Sequence, residues 1–302
     1  MSLLVTGSIG IDTVETPSGT VAEVLGGSAV YFAYAASFFV DPVRVVGVVG
    51  GDCTEEFLAP LRANPRIDLS GLEVRPGSKT FRWHGRYQQD VNIRQTVAVE
   101  LNVLAERGPT IPAGFIDSKY VFLANSHPDL QRQLLGQLDS PALVVADTMD
   151  LWITNEPAAL DRLLAQVDAV VLNDAEAKAL AGCANAVEAA LAVGRRVRGF
   201  AVIKKGEHGS LLVADGEVWP LPAYPTARVV DPTGAGDCFA GAMMGYLAAA
   251  DRRDPATLRT AIAYGTVTAS LELEDFSLNR LLRTTRDEID QRLGELRDRV
   301  GF

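Results

Sequence analysis

The stretch that decides the fold covers residues 230–241 and reads Val-Asp-Pro-Thr-Gly-Ala-Gly-Asp-Cys-Phe-Ala-Gly. Pro232 indicates a turn, and it precedes two glycines, Gly234 and Gly236, that are separated by one small residue. Residues 238–250 are rich in Ala, Met and Leu and almost uncharged, which predicts a helix that is buried on most of its surface. A glycine-rich loop that leads into a helix offers free backbone N–H groups and the positive end of the helix dipole. The stretch therefore predicts an anion-binding site.

Asp237 stands at the start of this helix, where its carboxylate would repel a bound phosphate. The repulsion is explained if the carboxylate takes a proton from a group that attacks the phosphate. We therefore hypothesise that Asp237 is the general base of a phosphoryl transfer and that Gly234, Ala235 and Gly236 stabilise the developing charge. The alternative is that Asp237 only caps the helix, since Asp is a good capping residue. The loop by itself leaves both interpretations open.

The whole string resembles the second signature of the PfkB carbohydrate kinase family, also called ribokinase-like, at every position. The resemblance implies a doubly wound, mostly parallel α/β sheet flanked by helices, with a small β-sheet lid. It also implies a kinase that moves the γ-phosphoryl group of ATP to an acceptor hydroxyl. Further motifs follow in the family's order along nearly the full chain.

The composition agrees with a large enzyme domain and disfavours several classes of partner. The chain has 302 residues, 48% of them hydrophobic, and a formal net charge of -10, which disfavours nucleic acid and anionic membranes as partners. Three isolated cysteines indicate a reducing compartment and no zinc site. Because we find no N-terminal signal pattern and no apolar run long enough to cross a bilayer, we expect a cytoplasmic protein without a membrane segment.

The order of the elements predicts one domain over residues 1–302 with an inserted lid. From residue 118 onwards short buried strands alternate with helical stretches, which is typical of βαβ units and a parallel sheet. Residues 13–25 predict a β-hairpin, and residues 79–104 alternate with strand periodicity. These two segments would form the lid, and the resemblance implies that it covers the acceptor and can join a homodimer.

The lid segment has one basic face. Arg82, His84 and Arg86 share it, opposite a face made by Phe81, Trp83, Gly85 and Tyr87. The basic side chains are either ligand contacts or a solvated surface. The sequence does not decide between the two.

The acceptor site is predicted near the first strand. Asp12 follows the end of that strand, where ligands bind in open α/β sheets, and the alternative is an ordinary turn residue. The resemblance implies that Asp12 binds acceptor hydroxyls and that Gly26 and Gly27 form a floor that the substrate approaches closely. Tyr31 replaces the family's Asn. It would either narrow the pocket and stack on a flat ring, or belong to the core.

Asn173 and Glu176 match the family's N-x-x-E motif between a strand and a helix. The resemblance implies that they organise Mg²⁺ largely through water, together with a phosphate. Mg²⁺ keeps most of its water and needs few protein oxygens, which suits such a sparse pair. The alternative is a capping box.

Two further matches concern the nucleotide and a monovalent cation. Lys205, Gly206 and Gly209 resemble the family's nucleotide-binding segment, although the pattern is weak by itself. Asp231 and Thr233 match positions that serve a K⁺ site in the family. The absence of a G-x-x-x-x-G-K-[ST] motif excludes an ordinary P-loop enzyme.

The predicted acceptor is a small unphosphorylated sugar, polyol or nucleoside. The aromatic lid and Tyr31 slightly favour a flat ring such as that of a nucleoside, although sugars also stack on aromatic side chains. Arg82 and Arg86 leave a sugar phosphate open. A second class of function is a noncatalytic nucleotide-binding regulator, against which the intact loop with Asp237 argues.

Overall fold

The computed structural model describes residues 2–301. The strands, in chain order, are β1 (Leu3–Thr6), β2 (Gly10–Thr16), β3 (Gly19–Gly26), β4 (Val43–Gly50), β5 (Ile67–Arg75), β6 (Phe81–Tyr87), β7 (Arg94–Glu100), β8 (Tyr120–Leu123), β9 (Leu143–Asp147), β10 (Ala169–Asn173), β11 (Phe200–Lys204), β12 (Ser210–Ala214) and β13 (Glu217–Leu221). The helices are α1 (Ser28–Ser37), α2 (Glu55–Arg62), α3 (Pro128–Leu135), α4 (Asp150–Asn155), α5 (Pro157–Leu164), α6 (Asp174–Ala181), α7 (Ala186–Gly194), α8 (Ala235–Ala250), α9 (Pro255–Glu272) and α10 (Arg286–Val300).

The larger sheet has nine strands in the order β13-β12-β11-β10-β9-β8-β1-β4-β5. The seven strands from β11 to β5 pair in parallel, and β12 and β13 extend one edge in antiparallel pairing. Helices cover both faces, with α1, α8, α9 and α10 in one apolar layer and α3, α5, α6 and α7 in the other. The predicted doubly wound α/β architecture is confirmed.

Helix α8 packs closely against two other helices because its contact positions are small. A Cβ atom on Gly241 would lie 2.3 Å from the carbonyl oxygen of Phe32 in α1. Gly265 of α9 makes a similarly close approach to the carbonyl oxygen of Phe239. Most of α8 is buried, as its composition predicts, and its N-terminus is thereby held at a fixed place beside the sheet.

The smaller sheet has the strand order β3-β2-β6-β7. It joins the predicted hairpin to the predicted alternating segment through parallel pairing of β2 with β6. Strand β7 lies at an edge and is exposed along its whole length, including Val97 and Val99. The homodimer through this lid stays a prediction.

Three elements were not predicted from the sequence. Strands β5 and β13 are edge strands whose residues are mostly half-exposed or exposed, so their hydrophobic pattern is weak. Helix α4 has six residues, none of them buried, and therefore carries no helical periodicity. No helix within residues 2–301 combines the length and hydropathy needed to traverse a bilayer.

Candidate active site

The glycine loop forms an open backbone cradle at the N-terminus of α8. Gly234 is the N-cap residue, with φ 86° and ψ -11°, and no side chain within residues 2–301 caps the helix. The backbone N–H groups of Gly236 and Asp237 lie in the first turn, where a helix provides them with no acceptor. Asp237 is therefore not the cap of α8, and the cradle has free donors for an anion.

Neighbouring side chains approach both cradle glycines closely, and the positive φ of Gly234 in addition favours glycine at that position. A Cβ atom on Gly234 would lie 2.5 Å from the ring of Tyr31, and one on Gly236 would lie 2.8 Å from Nζ of Lys204. Lys204 ends β11 and places its ammonium group directly beside the cradle. The loop thus combines bare backbone donors with one positive charge.

Asp237 is half-buried in the first turn of α8. Burial raises the pKa of its carboxyl group to about 6, while the positive charges of Lys204 and Arg94 act in the opposite direction. A carboxyl group with this pKa is largely ionised at neutral pH and can still accept a proton efficiently.

Asp147, Asn173 and Lys204 are the last residues of the neighbouring strands β9, β10 and β11. Asp147 is buried, and its Oδ1 has no hydrogen-bond partner among the described residues. Burial and the charge of Asp237 raise the pKa of Asp147, whereas Lys204 lowers it. Our sequence reasoning missed Asp147 and Lys204 as site residues. The signal was available, because both directly end buried parallel strands, where ligands bind.

Asn173 and Glu176 form the capping box that was the alternative interpretation. Asn173 Oδ1 accepts from the backbone N–H of Glu176, and Glu176 Oε2 accepts from the backbone N–H of Asn173, each at 2.8 Å. One carboxylate oxygen of Glu176 remains available, and burial raises the pKa of the group. With the unpartnered Asp147 Oδ1, it offers the few oxygen ligands that suit a largely hydrated Mg²⁺. Within residues 2–301 there is no larger cluster of metal-binding side chains.

Asp12, the residue predicted to bind the acceptor, is buried, with 3% of its surface exposed. Its Oδ2 lies against Gly26, where an added Cβ atom would be 1.9 Å away, and its Oδ1 lacks a hydrogen-bond partner among the described residues. Burial, with the charges of Asp231 and Asp237, raises the pKa of Asp12 to about 7. Gly27 has φ 104° and leaves no room for a Cβ atom next to the carbonyl oxygen of Ser8. The double glycine therefore shapes the wall against which Asp12 rests.

Tyr31 is 1% exposed, and its ring lies under Gly234. Its hydroxyl has no hydrogen-bond partner among the described residues. Burial and the charges of Asp231 and Glu272 raise the pKa of this hydroxyl. The structure thus places Tyr31 in the core beneath the cradle, and a direct contact with an acceptor stays a prediction.

The remaining predicted residues lie on either side of the cradle. Asp231 is fully buried, and its Oδ1 accepts from the backbone N–H of Thr233 at 2.8 Å. Lys205 donates its backbone N–H to the carbonyl oxygen of Gly209 at 2.7 Å, which closes the turn around the exposed Gly206. These contacts stabilise the two loops, and the roles of the loops in cation and nucleotide binding stay predictions.

An open cradle at a helix N-terminus, a carboxyl group beside it and a lysine at the carboxyl ends of a parallel sheet are features suited to binding a phosphate. The profile of the pfkB family of carbohydrate kinases matches residues 2–284. The chain belongs to this family and is a carbohydrate or nucleoside kinase. Membership of the family implies that it uses ATP.

One relative and two solved structures show how far the similarity extends. The cytidine kinase of Thermococcus kodakarensis is 31% identical over 260 residues, covering 84% of this chain and 90% of the relative. The Burkholderia thailandensis nucleoside kinase in complex with inosine has a TM-score of 0.77 at 22% identity, covering 99% of both chains. The aminoimidazole riboside kinase from Salmonella enterica, complexed with aminoimidazole riboside and an ATP analogue, has a TM-score of 0.76 at 18% identity, covering 97% of this chain and 100% of the other. At these identities the two structures establish the shared fold.

Proposed function

We propose that the protein transfers the γ-phosphoryl group of ATP to a hydroxyl group of an unphosphorylated nucleoside. The observation that carries the proposal is the position of Asp237, whose carboxyl group borders a bare backbone cradle beside the ammonium group of Lys204. This arrangement supplies a base for a hydroxyl proton and positive charge for a phosphoryl group at the same place.

In the proposed reaction the acceptor oxygen attacks the γ-phosphorus, the bond to the β-phosphate oxygen breaks, and the acceptor proton moves to Asp237. The first-turn N–H groups of Gly236 and Asp237 donate to the phosphoryl oxygens, and Lys204 balances their charge. Glu176 and Asp147 would hold Mg²⁺, which supplies charge neutralisation between the phosphates when it is bound.

The acceptor side supports a neutral polyhydroxy substrate. Oδ1 of Asp12 is buried and has no hydrogen-bond partner among the described residues, a costly state that a substrate hydroxyl would relieve by donating to it. The basic face of the lid is already neutralised, because Arg82 pairs with Glu23 and Asp52 while Arg86 pairs with Glu15. These ion pairs argue against a phosphorylated sugar, which would need free positive charge.

A nucleoside is favoured over a plain sugar by the aromatic face of the lid. Asp12 pairs in register with Trp83, and Gly10 pairs with Phe81, so an aromatic surface adjoins the carboxylate that would bind the hydroxyls. Such a surface stacks on a flat base. The similarity to a cytidine kinase and the fold shared with an inosine-binding kinase agree with this choice of acceptor.

The test is an acceptor screen with the wild type and the variant Asp237→Asn. Acceptor-dependent ADP release is measured with cytidine, uridine, inosine, adenosine, ribose, fructose, myo-inositol and fructose 6-phosphate. We expect turnover with at least one nucleoside, and a loss of about two or more orders of magnitude in kcat for Asp237→Asn.

ATP binding to Asp237→Asn, measured by calorimetry, serves as the control for folding and should stay close to that of the wild type. Near-normal turnover of this variant would refute the assignment of the base. A wild type that releases ADP with none of the acceptors would favour a nucleotide-binding regulator instead.

A further inference from the structure

The carboxyl ends of β8 and β9 are joined by a side chain of helix α3. This side chain is that of Gln131, which is fully buried. Its Nε2 donates hydrogen bonds to three carbonyl oxygens, those of Leu123 at 2.7 Å, Ala124 at 3.2 Å and Asp147 at 3.1 Å. Leu123 ends β8, and Asp147 ends β9, its neighbour in the sheet. One amide group thus binds both strand ends next to the candidate site.

The amide bridge lies where the pairing of the two strands stops. The last pair in register is Leu123 with Ala146, so Ala124 and Asp147 each lie one residue beyond it. Past this pair the ladder no longer fixes the distance between the two chains, and a donor that binds carbonyl oxygens of both chains sets it. The convergence of three acceptors on one atom of Gln131 identifies that atom as the amide nitrogen.

The carboxyl group of Asp147 depends on this bridge. Burial raises the pKa of the group, whereas the backbone N–H of Asn125 lowers it, which places that N–H beside the carboxylate. Asn125 directly follows Ala124, whose carbonyl oxygen Gln131 binds. Gln131 therefore holds the main chain of Asp147 and also the segment that supplies a donor to its carboxylate.

A second amide ties the same two segments together. Asn125 Oδ1 accepts from Trp152 Nε1 at 3.0 Å, and Asn125 Nδ2 donates to Met149 Sδ at 3.1 Å. Met149 and Trp152 follow Asp147 along the chain, and the side chain of Asn125 is half-buried. The segment after β9 is thus fastened to the segment after β8 by one half-buried amide and one fully buried amide.

The buried amide of Gln131 is not explained by core packing. Its Oε1 is buried and has no hydrogen-bond partner among the described residues, a state that costs stability. An apolar side chain would fill the same space without this cost. The presence of an amide at this place is explained by the carbonyl groups that it fixes.

Building on the proposed phosphoryl transfer, we propose that Gln131 is a positioning residue for the metal site. By fixing the ends of β8 and β9, it holds Asp147 so that the unpartnered Oδ1 of this residue is available to Mg²⁺ beside Glu176. In this role Gln131 contacts neither the metal nor the substrates. Loss of a group that orients a metal ligand typically lowers metal affinity by about 10–100-fold.

The test replaces Gln131 by methionine, which has a similar length and no donor. Gln133→Met, at an exposed position of the same helix, is the matched control. Mn²⁺ binding in the presence of a non-hydrolysable ATP analogue is measured by electron paramagnetic resonance. We expect the Mn²⁺ affinity to fall about tenfold or more in Gln131→Met and to stay within about twofold in Gln133→Met. The Mg²⁺ concentration that gives half-maximal kcat should rise by a similar factor, while the KM for the nucleoside changes little.

A double-mutant cycle determines whether Gln131 acts through Asp147. In the Asp147→Asn background, which removes the proposed ligand, Gln131→Met should lower the Mn²⁺ affinity by less than about threefold. An equal factor in both backgrounds would show that Gln131 does not act through Asp147, and an affinity of Gln131→Met within about twofold of the wild type would refute the inference directly.

A second variant keeps the test decisive if Gln131→Met does not fold. Gln131→Glu has the same shape, and burial should keep its carboxyl group protonated, so that it donates one of the hydrogen bonds. Its Mn²⁺ affinity should fall at least about threefold, and an unchanged affinity contradicts the inference while the proposed function stands. A wild type that binds Mn²⁺ but shows no acceptor-dependent ADP release would instead overturn the proposed function.

Discussion

Asp12, which is buried, and Asp237, which is half-buried, are the two carboxyl groups to which the proposed reaction assigns the acceptor and its proton. Asp12 has an unpartnered oxygen on the acceptor side, and Asp237 borders the phosphate cradle. Their pKa values are raised to about 7 and about 6, respectively, mainly by burial. In the proposed reaction both groups must be ionised, Asp12 to accept hydrogen bonds from hydroxyl groups and Asp237 to take a proton.

We therefore predict that kcat/KM for the acceptor falls as the pH drops below about 7. In a plot of log kcat/KM against pH, the slope should approach two as both carboxyl groups become protonated. In Asp12→Asn, one of the two ionisations disappears, so the acidic limb should have a slope near one. The KM for the acceptor should also rise about tenfold or more, because a charge-assisted hydrogen bond is lost. Initial rates from pH 5 to 9 provide the measurement, and a wild-type profile that stays flat down to pH 5 would contradict it.

At the scale of elements, the N-terminus of α8 depends on Gly234 for two separate reasons. Its φ of 86° is left-handed, and a Cβ atom would also meet the ring of Tyr31. Gly216 supplies a matched control, because its φ is 78° and, apart from its chain neighbours, no described residue lies within 4 Å of an added Cβ atom. Replacing either glycine by alanine has the same backbone cost, but the new Cβ atom would be crowded only at Gly234.

We predict that Gly216→Ala lowers the free energy of unfolding by about 1 kcal/mol and leaves kcat unchanged. Gly234→Ala should have that cost and, in addition, lose at least about tenfold in kcat, since the cradle must move away from Tyr31. Urea unfolding and steady-state kinetics on both variants test this. Equal kcat values in the two variants would show that the crowding at Gly234 does not matter.

At the scale of the whole molecule, several carboxyl groups share pKa values that burial raises. Burial raises the pKa values of Asp12, Asp147, Asp231, Asp237 and Glu272. Glu272 is fully buried, and neither of its carboxylate oxygens has a partner among the described residues. Such groups release their protons more readily in the unfolded chain, so the unfolded state binds fewer protons and stability falls as the pH rises above about 4.

We predict that the ligand-free protein loses unfolding free energy between pH 5.5 and pH 8.5. Each carboxyl group with a raised pKa lowers the free energy of unfolding by at most about 1.4 kcal/mol per pH unit, until the pH reaches the pKa of that group in the folded state. Glu272→Gln removes one of these groups without changing its shape, so its stability should decline less steeply over the same range. Urea titrations at three pH values measure both slopes, and identical slopes would show that Glu272 does not titrate differently in the two states.

The sequence by itself determined the architecture and the core of the site. The string from Asp231 to Gly241 predicted the cradle and Asp237, because glycine and proline act locally on the backbone and leave a readable pattern. The alternation of strands and helices predicted the parallel sheet, because burial on both faces imposes hydrophobic runs. The edge strands β5 and β13 were not predicted, since packing on one side leaves only a weak hydrophobic pattern.

Tertiary structure alone decided which polar side chains meet. It brought Asp147 and Lys204 from distant segments to the strand ends beside the cradle, and it paired Arg82 and Arg86 with carboxylates. It also placed Tyr31 beneath Gly234 and formed the capping box of Asn173 and Glu176. Which side chains become partners depends on the order of the strands and on the contact between the two sheets. Neither can be read from the type of the side chains or from their spacing along the chain.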